Sequence, residues 1–344
     1  VGGTHLEGGS NANVQLLYRG GGVTPNVPRI ICATFPNLIR IELYEIGLTS
    51  INDISFDGCS RLTEINLSGN SITSISANAF AKLPGLDAII IERNLLTTLP
   101  QNVFANQRSL RYLYMGSNPY QSLPAALFRH LYNIEVLYIQ DSNLSAINTQ
   151  WFSSNSKLYD LSLASNRITS LYGSFSGLIG LRYLSLAYNQ IRSVPASTFS
   201  RTPNLQNLFL NGNNLNALQA YSFQNLQRLT TLDISENPIG TIYNRAFRGL
   251  SSLSSLIVAS SSVRQLQSNS FEGLQNLVFL SLNSNQIASL PPGVFGPTPN
   301  LTYIGLYNNR LRTGSAFASA CKMFRQLLIW QRQRNHNHLE ALLL

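Results

Sequence analysis

The residues of this sequence best suited to chemistry are aromatic and acidic side chains that recur at fixed intervals. Tyrosine offers a flat apolar ring with a polar tip, and a carboxylate offers a charged acceptor, so together they suit molecular recognition. The aromatic residues in these recurring positions are Tyr44, Tyr112, Tyr114, Tyr138, Tyr183, Tyr188, Phe209, Phe279, Tyr303 and Tyr307. The acidic residues there are Glu42, Glu45, Glu64, Glu92, Asp141, Asp160, Asp233 and Glu236.

Sequence motifs of catalysis and metal binding are missing. The chain has no P-loop, no GxSxG, no HExxH and no dinucleotide-binding fingerprint. Ser319 and Lys322 form an SxxK pattern, but the motifs that accompany it in β-lactamases are absent. No acidic residue or thiol stands at ligand spacing from a histidine. We therefore expect no enzymatic activity, no metal site and no cofactor.

A single pattern of 24 residues repeats along most of the chain. One copy runs from Leu205 to Phe223 and reads LxxLxLxxNxLxxLxxxxF. The spacing is constant except for one interval of 23 residues, between Leu158 and Leu181. Such self-similarity predicts a solenoid in which each copy packs on its neighbours. The twelve copies begin at residues 38, 62, 86, 110, 134, 158, 181, 205, 229, 253, 277 and 301.

Each recurring residue of the pattern has a structural role. The LxLxx segment predicts a short strand whose two leucines point to one face, so stacked copies form a parallel sheet over a shared core. The Asn after the strand can donate and accept, which predicts a ladder of Asn side chains along the turning backbone. Ser142, Ser261 and Ile46 replace this Asn in three copies. The recurring Phe predicts a second stack under the opposite side.

These motifs resemble the leucine-rich repeat family over about residues 38–312. They are similar to the 24-residue, Phe-bearing repeats of extracellular animal-type proteins, such as Toll-like receptor ectodomains, variable lymphocyte receptors and mosquito immune leucine-rich repeat proteins. The resemblance implies an α/β solenoid, a horseshoe of about twelve repeats with a parallel concave β-sheet and an irregular or 3-10 convex side. It also implies an extracellular protein, secreted or an ectodomain fragment, with a role in innate immunity.

The outward-facing strand positions are the third, fifth, seventh and eighth residues of LxxLxLxx, and they hold the aromatic and acidic residues named above. Eight of the 15 acidic residues lie there, against only Arg40 and Arg93 as basic residues. The chain as a whole has a net charge of +9, so its excess Lys and Arg are expected on loops, flanks and the C-terminal tail. A nucleic-acid-binding face would be basic, and we therefore expect no nucleic-acid partner.

Two functions are compatible with this pattern. The first is a non-enzymatic recognition module that binds a protein ligand, with or without glycans, through the aromatic and acidic residues of the concave sheet. The alternative is a structural extracellular protein that assembles into a homo-oligomer or fibre through its flanks or its C-terminal helix. A merely solvated sheet face is the simplest explanation of the same residues. No apolar run approaches the roughly 18 residues of a membrane span, so we expect none in this chain.

The cysteines and the glycosylation sequons bear on the compartment. Cys32 and Cys59 lie on adjacent coils and could form a disulfide, although two separate buried thiols fit the sequence equally well. Cys321 is then the odd cysteine, and it could join two chains. We expect a glycan on at least one of the three N-x-S/T sequons. These sequons begin at Asn66, Asn143 and Asn300.

The two ends differ from the repeats. Residues 1–13 are Gly-rich and predict a flexible tail, and residues 14–37 predict an N-terminal cap. Within that cap, Val14–Tyr18 and Arg29–Ala33 are expected as strands. The twelve repeats are assigned to residues 38–312.

Residues 313–344 are assigned to a C-terminal cap and tail. Phe317, Cys321, Phe324 and Leu328 are spaced as on one face of an amphipathic helix. This helix would either cover the last repeat or pair with a partner or another copy.

Overall fold

The computed structural model describes residues 14–18, 24–311, 328–331 and 340–343. The chain forms two compact units, and each is described by itself. The first unit comprises the residues up to Arg167 with Ser176–Leu178, and the second comprises Ile168–Phe175 and the residues from Ile179 onward. The boundary falls in the one repeat of 23 residues. The predicted flexible tail lies outside the described residues.

In the first unit, each repeat contributes one three-residue strand to a parallel sheet. Neighbouring strands pair with an offset of 24 residues, so that Ile41 lies beside Ile65. The sheet strands, in spatial order, are β1 (Leu16–Tyr18), β2 (Arg40–Glu42), β4 (Glu64–Asn66), β6 (Ala88–Ile90), β7 (Tyr112–Tyr114), β8 (Val136–Tyr138) and β9 (Asp160–Ser162). The other elements are the helix α1 (Ile31–Thr34) and a separate parallel pair, β3 (Ser50–Ile51) with β5 (Ser74–Ile75).

The second unit repeats this arrangement. Its strands from β10 to β17 pair in parallel with the same offset, as in Leu208 beside Leu232. The sheet strands, in spatial order, are β10 (Tyr183–Ser185), β11 (Asn207–Phe209), β12 (Thr231–Asp233), β14 (Ser255–Ile257), β16 (Phe279–Ser281), β17 (Tyr303–Gly305), β18 (Leu328–Gln331) and β19 (Glu340–Leu343). A separate parallel pair joins β13 (Thr241–Ile242) to β15 (Gln265–Leu266).

The predicted C-terminal helical cap is wrong where the structure describes that segment. Residues 328–331 form β18, which pairs in parallel with β17 and places Leu328 beside Tyr303. A strand at this edge satisfies backbone groups of β17 that a helix would leave unpaired. The β-branched and aromatic residues Ile329 and Trp330 also favour extended backbone. Three of the four residues of the predicted apolar helix face, Phe317, Cys321 and Phe324, lie outside the described residues.

The N-terminal cap is strand and helix rather than two strands. Strand β1 lies within the predicted segment and pairs with β2. The second predicted strand is wrong, because Ile31–Thr34 forms one helical turn. Its backbone bonds are local, with the amide of Thr34 donating to the carbonyl of Ile30 at 2.8 Å. This turn buries Ile31 and Cys32 against the first repeat.

The core confirms the roles assigned to the repeat. Leucine and isoleucine at the inward strand positions are buried; Ile65 and Leu232 are 0% exposed. The predicted Asn ladder is present: Oδ1 of Asn118 accepts from the amide of Leu96 in the preceding turn, and its Nδ2 donates to the carbonyl of Ile91. In the first repeat, where Ile46 replaces the Asn, Oδ1 of Asn70 accepts from the Ile46 amide.

The predicted Phe stack is also present within each unit. Phe80 and Phe104 stack with ring centroids 6.2 Å apart, and Phe247 and Phe271 repeat that distance. The segments around these rings are turns closed by bonds such as Ala81 N to Asn78 O, at 2.9 Å. The side of the repeats opposite the sheet is therefore irregular, as predicted. The part of the chain that the structure describes contains no helix with the length and hydropathy of a membrane span.

Candidate functional site

The outward side chains of the sheet strands, and of the turn that follows each strand, form the surface called here the sheet face. Inward strand residues alternate with outward ones, so every face residue predicted from the sequence is half-buried or exposed. Within the first unit, Tyr112, Tyr114, Tyr138 and Asp160 come together on the three neighbouring strands β7, β8 and β9. These four residues are called the tyrosine cluster.

The rings of the tyrosine cluster are packed at right angles. Tyr114 and Tyr138 lie directly opposite each other in the register of β7 and β8. Their ring centroids are 5.3 Å apart with an interplanar angle of 84°. This edge-to-face geometry is the favoured one for aromatic pairs and holds both rings in defined orientations. Burial also raises the pKa of the Tyr114 hydroxyl above its ordinary value of 10.0.

Asp160 is the acidic member of the cluster. The hydroxyl of Tyr138 donates to Oδ2 of Asp160 at 2.9 Å. Burial raises the pKa of this carboxyl above its ordinary value of 3.8, and the Tyr138 hydrogen bond opposes that rise. Oδ1 of Asp160 is buried and has no hydrogen-bond partner among the described residues. The cluster thus holds a carboxyl group that is bonded to one tyrosine hydroxyl and has an unused acceptor.

Sequence reasoning missed Gln140, which links two parts of this face. Its Nε2 donates to Oε1 of Glu92, two repeats earlier, at 2.9 Å. The intervening repeat carries Gly116 at the matching position, and a Cβ there would lie 2.8 Å from the Gln140 side chain. Glycine therefore leaves the space through which Gln140 reaches Glu92. A glycine between two polar residues at repeat spacing was the signal available in the sequence.

A basic residue borders the tyrosine cluster at the N-terminal end of β7. The guanidinium carbon of Arg111 lies 5.1 Å from the centroid of the Tyr112 ring. Nη2 of Arg111 also donates to Oδ2 of Asp87 at 2.9 Å. The hydrogen bond and the negative charge of Asp87 raise the pKa of Arg111. Arg111 is therefore already neutralised by Asp87, and the cluster keeps its acidic character.

Two predicted residues of the first unit stand apart from the cluster. Tyr44 follows β2, which is separated from β7 by β4 and β6. Asp141 lies beyond the end of β8, at the eighth position of the repeat, and is exposed. Both residues lie on the sheet face.

Four of the six predicted aromatic residues of the second unit form two separate pairs. Tyr183 and Phe209, on β10 and β11, have centroids 5.1 Å apart. Phe279 and Tyr303, on β16 and β17, stack face to face at 4.6 Å with an interplanar angle of 2°. Strands β12 and β14 lie between the pairs. Asp233 on β12 uses Oδ1 to accept from the hydroxyl and amide of Ser235.

The eighth position of the repeat has left-handed backbone, which the sequence did not reveal. Asp141, Tyr188 and Glu236 have φ values of 52°, 54° and 56°. Glycine takes this position as Gly212, over which the Tyr188 ring lies. The turn points these side chains away from the strands, and Tyr188 is 52% exposed. Tyr307, at the seventh position of its repeat, is 42% exposed.

The cysteines and sequons occupy defined places in the structure. The sulfurs of Cys32 and Cys59 are joined, with Cα atoms 5.1 Å apart, and link α1 to the first repeat. Asn66 and Asn143 are half-buried and Asn300 is exposed. Cys321 lies outside the described residues. Within the described residues, no group of three His, Cys, Asp or Glu side chains could hold a metal ion.

Comparison with known families gives two overlapping matches. A BspA-type leucine-rich repeat region matches residues 29–159 in six copies. A second leucine-rich repeat family matches residues 132–191, 156–215, 203–260 and 251–311, which is more than half of the chain. The chain belongs to the leucine-rich repeat family. Proteins of this fold commonly mediate protein–protein interactions. No curated protein sequence gives a significant match.

Solved structures with this repeat fold align over most of the chain. A leucine-rich repeat protein of Leptospira interrogans has a TM-score of 0.75 and 22% identity, covering 93% of this chain and 78% of that one. A chain of the Drosophila Toll–Spätzle complex has a TM-score of 0.76 and 22% identity, covering 92% of this chain and 45% of that one. A chain of the octameric complex of Latrophilin 3, Unc5D and FLRT2 has a TM-score of 0.67 and 20% identity, covering 79% and 84%.

Proposed function

We propose that this leucine-rich repeat protein is a non-enzymatic recognition module that binds a protein ligand on the sheet face of its first unit. The observation that carries the proposal is the tyrosine cluster, in which oriented rings lie next to a half-buried carboxyl group that one of them binds. Half-buried tyrosines lose little conformational entropy on binding, and a fixed carboxylate orients the partner. The ligand presents a basic or hydrogen-bond-donating group to Asp160 and Glu92, with apolar surface against the rings.

Two further observations support this proposal. Toll is in complex with Spätzle, and FLRT2 is in complex with Latrophilin 3 and Unc5D, in structures that share this fold. The joined cysteines Cys32 and Cys59 fit an oxidising compartment, which favours an extracellular protein of the 24-residue repeat type. Glycans on Asn66, Asn143 or Asn300, and the predicted role in innate immunity, belong to the same proposal.

The test is tyrosine footprinting of the native protein together with the proteins that co-purify with it. Hydroxyl-radical labelling is expected to fall at Tyr112, Tyr114 and Tyr138 in the complex relative to the isolated chain. Tyr172 is 76% exposed and lies outside the sheet, so it serves as the internal control. A double variant, Tyr112→Ala with Tyr138→Ala, is expected to lose the partner, whereas Tyr172→Ala retains it.

Either of two results would contradict the proposal. The first is a co-purifying protein that protects Tyr172 and leaves the cluster tyrosines fully labelled. The second is capture of nothing except further copies of this chain, which would favour the self-assembling structural protein instead.

A further inference from the structure

The second unit contains a basic cavity at the N-terminal ends of strands β10, β11 and β12. It lies away from the strand positions that form the sheet face. It has a volume of about 300 Å³ and is lined by Gly180, Arg182, Asn204, Gln206 and Arg228. These residues come from three successive repeats and immediately precede strands β10, β11 and β12. The strand register therefore places them side by side along one flank of the repeats.

The cavity exists because one of the stacked repeats has glycine, which has no side chain, at this position. Gly180, Asn204 and Arg228 occupy the same place in successive repeats, just before the opening Leu. In the first unit this place holds Asn133 and Lys157, whose side chains bond to each other at 2.7 Å. Gly180 has no left-handed backbone that would require glycine. Its absent side chain leaves space beside Arg182.

Neither arginine of the cavity has a carboxylate partner among the described residues. The ion pairs among the described residues involve Arg40, Lys82, Arg111 and Arg245, and neither Arg182 nor Arg228. Arg111 holds the same repeat position as Arg182 but is paired with Asp87 of the preceding repeat. At this position the repeat before Arg182 carries Tyr159 and the repeat after it carries Gln206, so neither offers a carboxylate.

A neutral amide orients the second arginine. Nη1 of Arg228 donates to Oδ1 of Asn204 at 2.6 Å, and Nδ2 of Asn204 donates to the carbonyl of Ile179 at 2.8 Å. The amide is thus anchored at its nitrogen and holds the guanidinium by its oxygen. This bond occupies one N–H of Arg228, and the neutral amide does not offset the charge of the guanidinium. The other donors of Arg228 therefore remain available. The repeats of the second unit are also basic as a whole: residues 179–311 contain eight Arg and three acidic residues.

We propose that this cavity binds a tetrahedral oxyanion, the sulfate or phosphate ester of a larger ligand. Two guanidinium groups present planar sets of donors that match the oxygens of such esters, and the Gln206 amide adds a neutral donor. The gap at Gly180 admits the ester, and the uncharged remainder of the ligand extends along the flank. This site is independent of the protein-binding function proposed for the first unit.

Isothermal titration of the full chain with glucose 6-sulfate and glucose 6-phosphate, at constant ionic strength, tests the site. Both esters are expected to bind, whereas glucose is not. The ester that binds more tightly identifies the source as a sulfated or a phosphorylated ligand. The double variant Arg182→Gln with Arg228→Gln is expected to weaken binding by about tenfold for each guanidinium lost.

Two further variants separate a built site from general charge attraction. Arg192→Gln with Arg310→Gln removes the same charge from exposed positions outside the cavity and is expected to leave affinity unchanged. Gly180→Asn keeps both arginines but fills the gap, and is expected to weaken binding. The proposal is overturned if the wild-type chain binds neither ester, or if the two double variants lose affinity equally.

Discussion

The hydroxyl of Tyr138 donates a hydrogen bond to Oδ2 of Asp160, 22 residues further along the chain, at 2.9 Å. The two side chains belong to neighbouring strands but not to directly opposed positions, because Tyr138 pairs in register with Ser162. The bond therefore runs diagonally across the sheet face. It fixes the Tyr138 ring, which in turn is packed edge-to-face with Tyr114.

Removing this hydroxyl is expected to raise the pKa of Asp160 further. Burial already raises that pKa, and the hydrogen bond from Tyr138 is the interaction that lowers it. Tyr138→Phe keeps the ring and removes the donor, so the charged carboxylate loses its stabilising partner. Carboxyl carbon shifts followed by NMR across a pH titration measure the change. Tyr112→Phe is the matched control, and an equal shift in both variants would show that Tyr138 has no special role.

Asp160 is expected to make stability fall as pH rises. Its folded pKa lies above the ordinary value of 3.8, so between those two values the folded state binds more protons than the unfolded state. The free energy of unfolding therefore decreases through this window and stays lower above it. Asp160→Asn, which retains an acceptor for Tyr138, should abolish this part of the pH dependence. Urea unfolding from pH 3.5 to 7 measures it, and an unchanged slope would contradict the assignment.

Tyr120 replaces the usual Leu after the Asn ladder, and its hydroxyl is expected to cost stability. The side chain is 0% exposed, and the hydroxyl has no hydrogen-bond partner among the described residues. Tyr120→Phe should increase the free energy of unfolding by about 1 kcal/mol, because an unpaired buried polar group is removed. Tyr243→Phe, at a half-exposed ring, should change it little. Destabilisation by Tyr120→Phe would instead indicate a buried water bonded to the hydroxyl.

The Asn ladder is expected to dominate local stability. Asn118 donates from Nδ2 to the carbonyls of Ile91, Met115 and Gly116, and accepts from Leu96. Asn118→Ala leaves the Leu96 amide and the Met115 carbonyl unpaired, while Ile91 and Gly116 keep bonds from Asn94 and Arg93. The change should lower the free energy of unfolding by about 3 kcal/mol. Asn214→Ala removes an exposed amide and is the control. Urea unfolding compares the two, and similar losses would refute the structural role of the ladder.

The link between Cys32 and Cys59 is expected to stabilise the N-terminal end of the repeats. It closes a segment with a sequence separation of 27 residues. Replacing both cysteines by Ala should lower the free energy of unfolding by about 3 kcal/mol, because the unfolded chain gains freedom. Reduction of the wild-type protein should give the same loss. Alkylation of either thiol in the native, unreduced protein, detected by mass spectrometry, would contradict the pairing.

Much of the fold could be predicted from local chemistry. Leu208 and Leu232 had to face one core because strand side chains alternate, and the Asn and Phe positions repeat in step with them. The repeat alone also brings Tyr112, Tyr114 and Tyr138 together, since adjacent strands place equal repeat positions side by side. It failed at the C-terminal segment, where the apolar spacing of 4, 3 and 4 favoured a helix and the open edge of β17 determined a strand.

By itself, then, the sequence determined the repeat, the buried set and the identity of the outward residues, because these follow from periodicity and from the chemistry of each position. Only the tertiary structure decided which outward residues touch. The reach of Gln140 to Glu92 over Gly116, and the diagonal bond from Tyr138 to Asp160, depend on side-chain rotamers. The cavity at Gly180 depends likewise on the stacking of successive repeats. Such contacts join residues 22 to 48 positions apart, where no local pattern records which side chains meet.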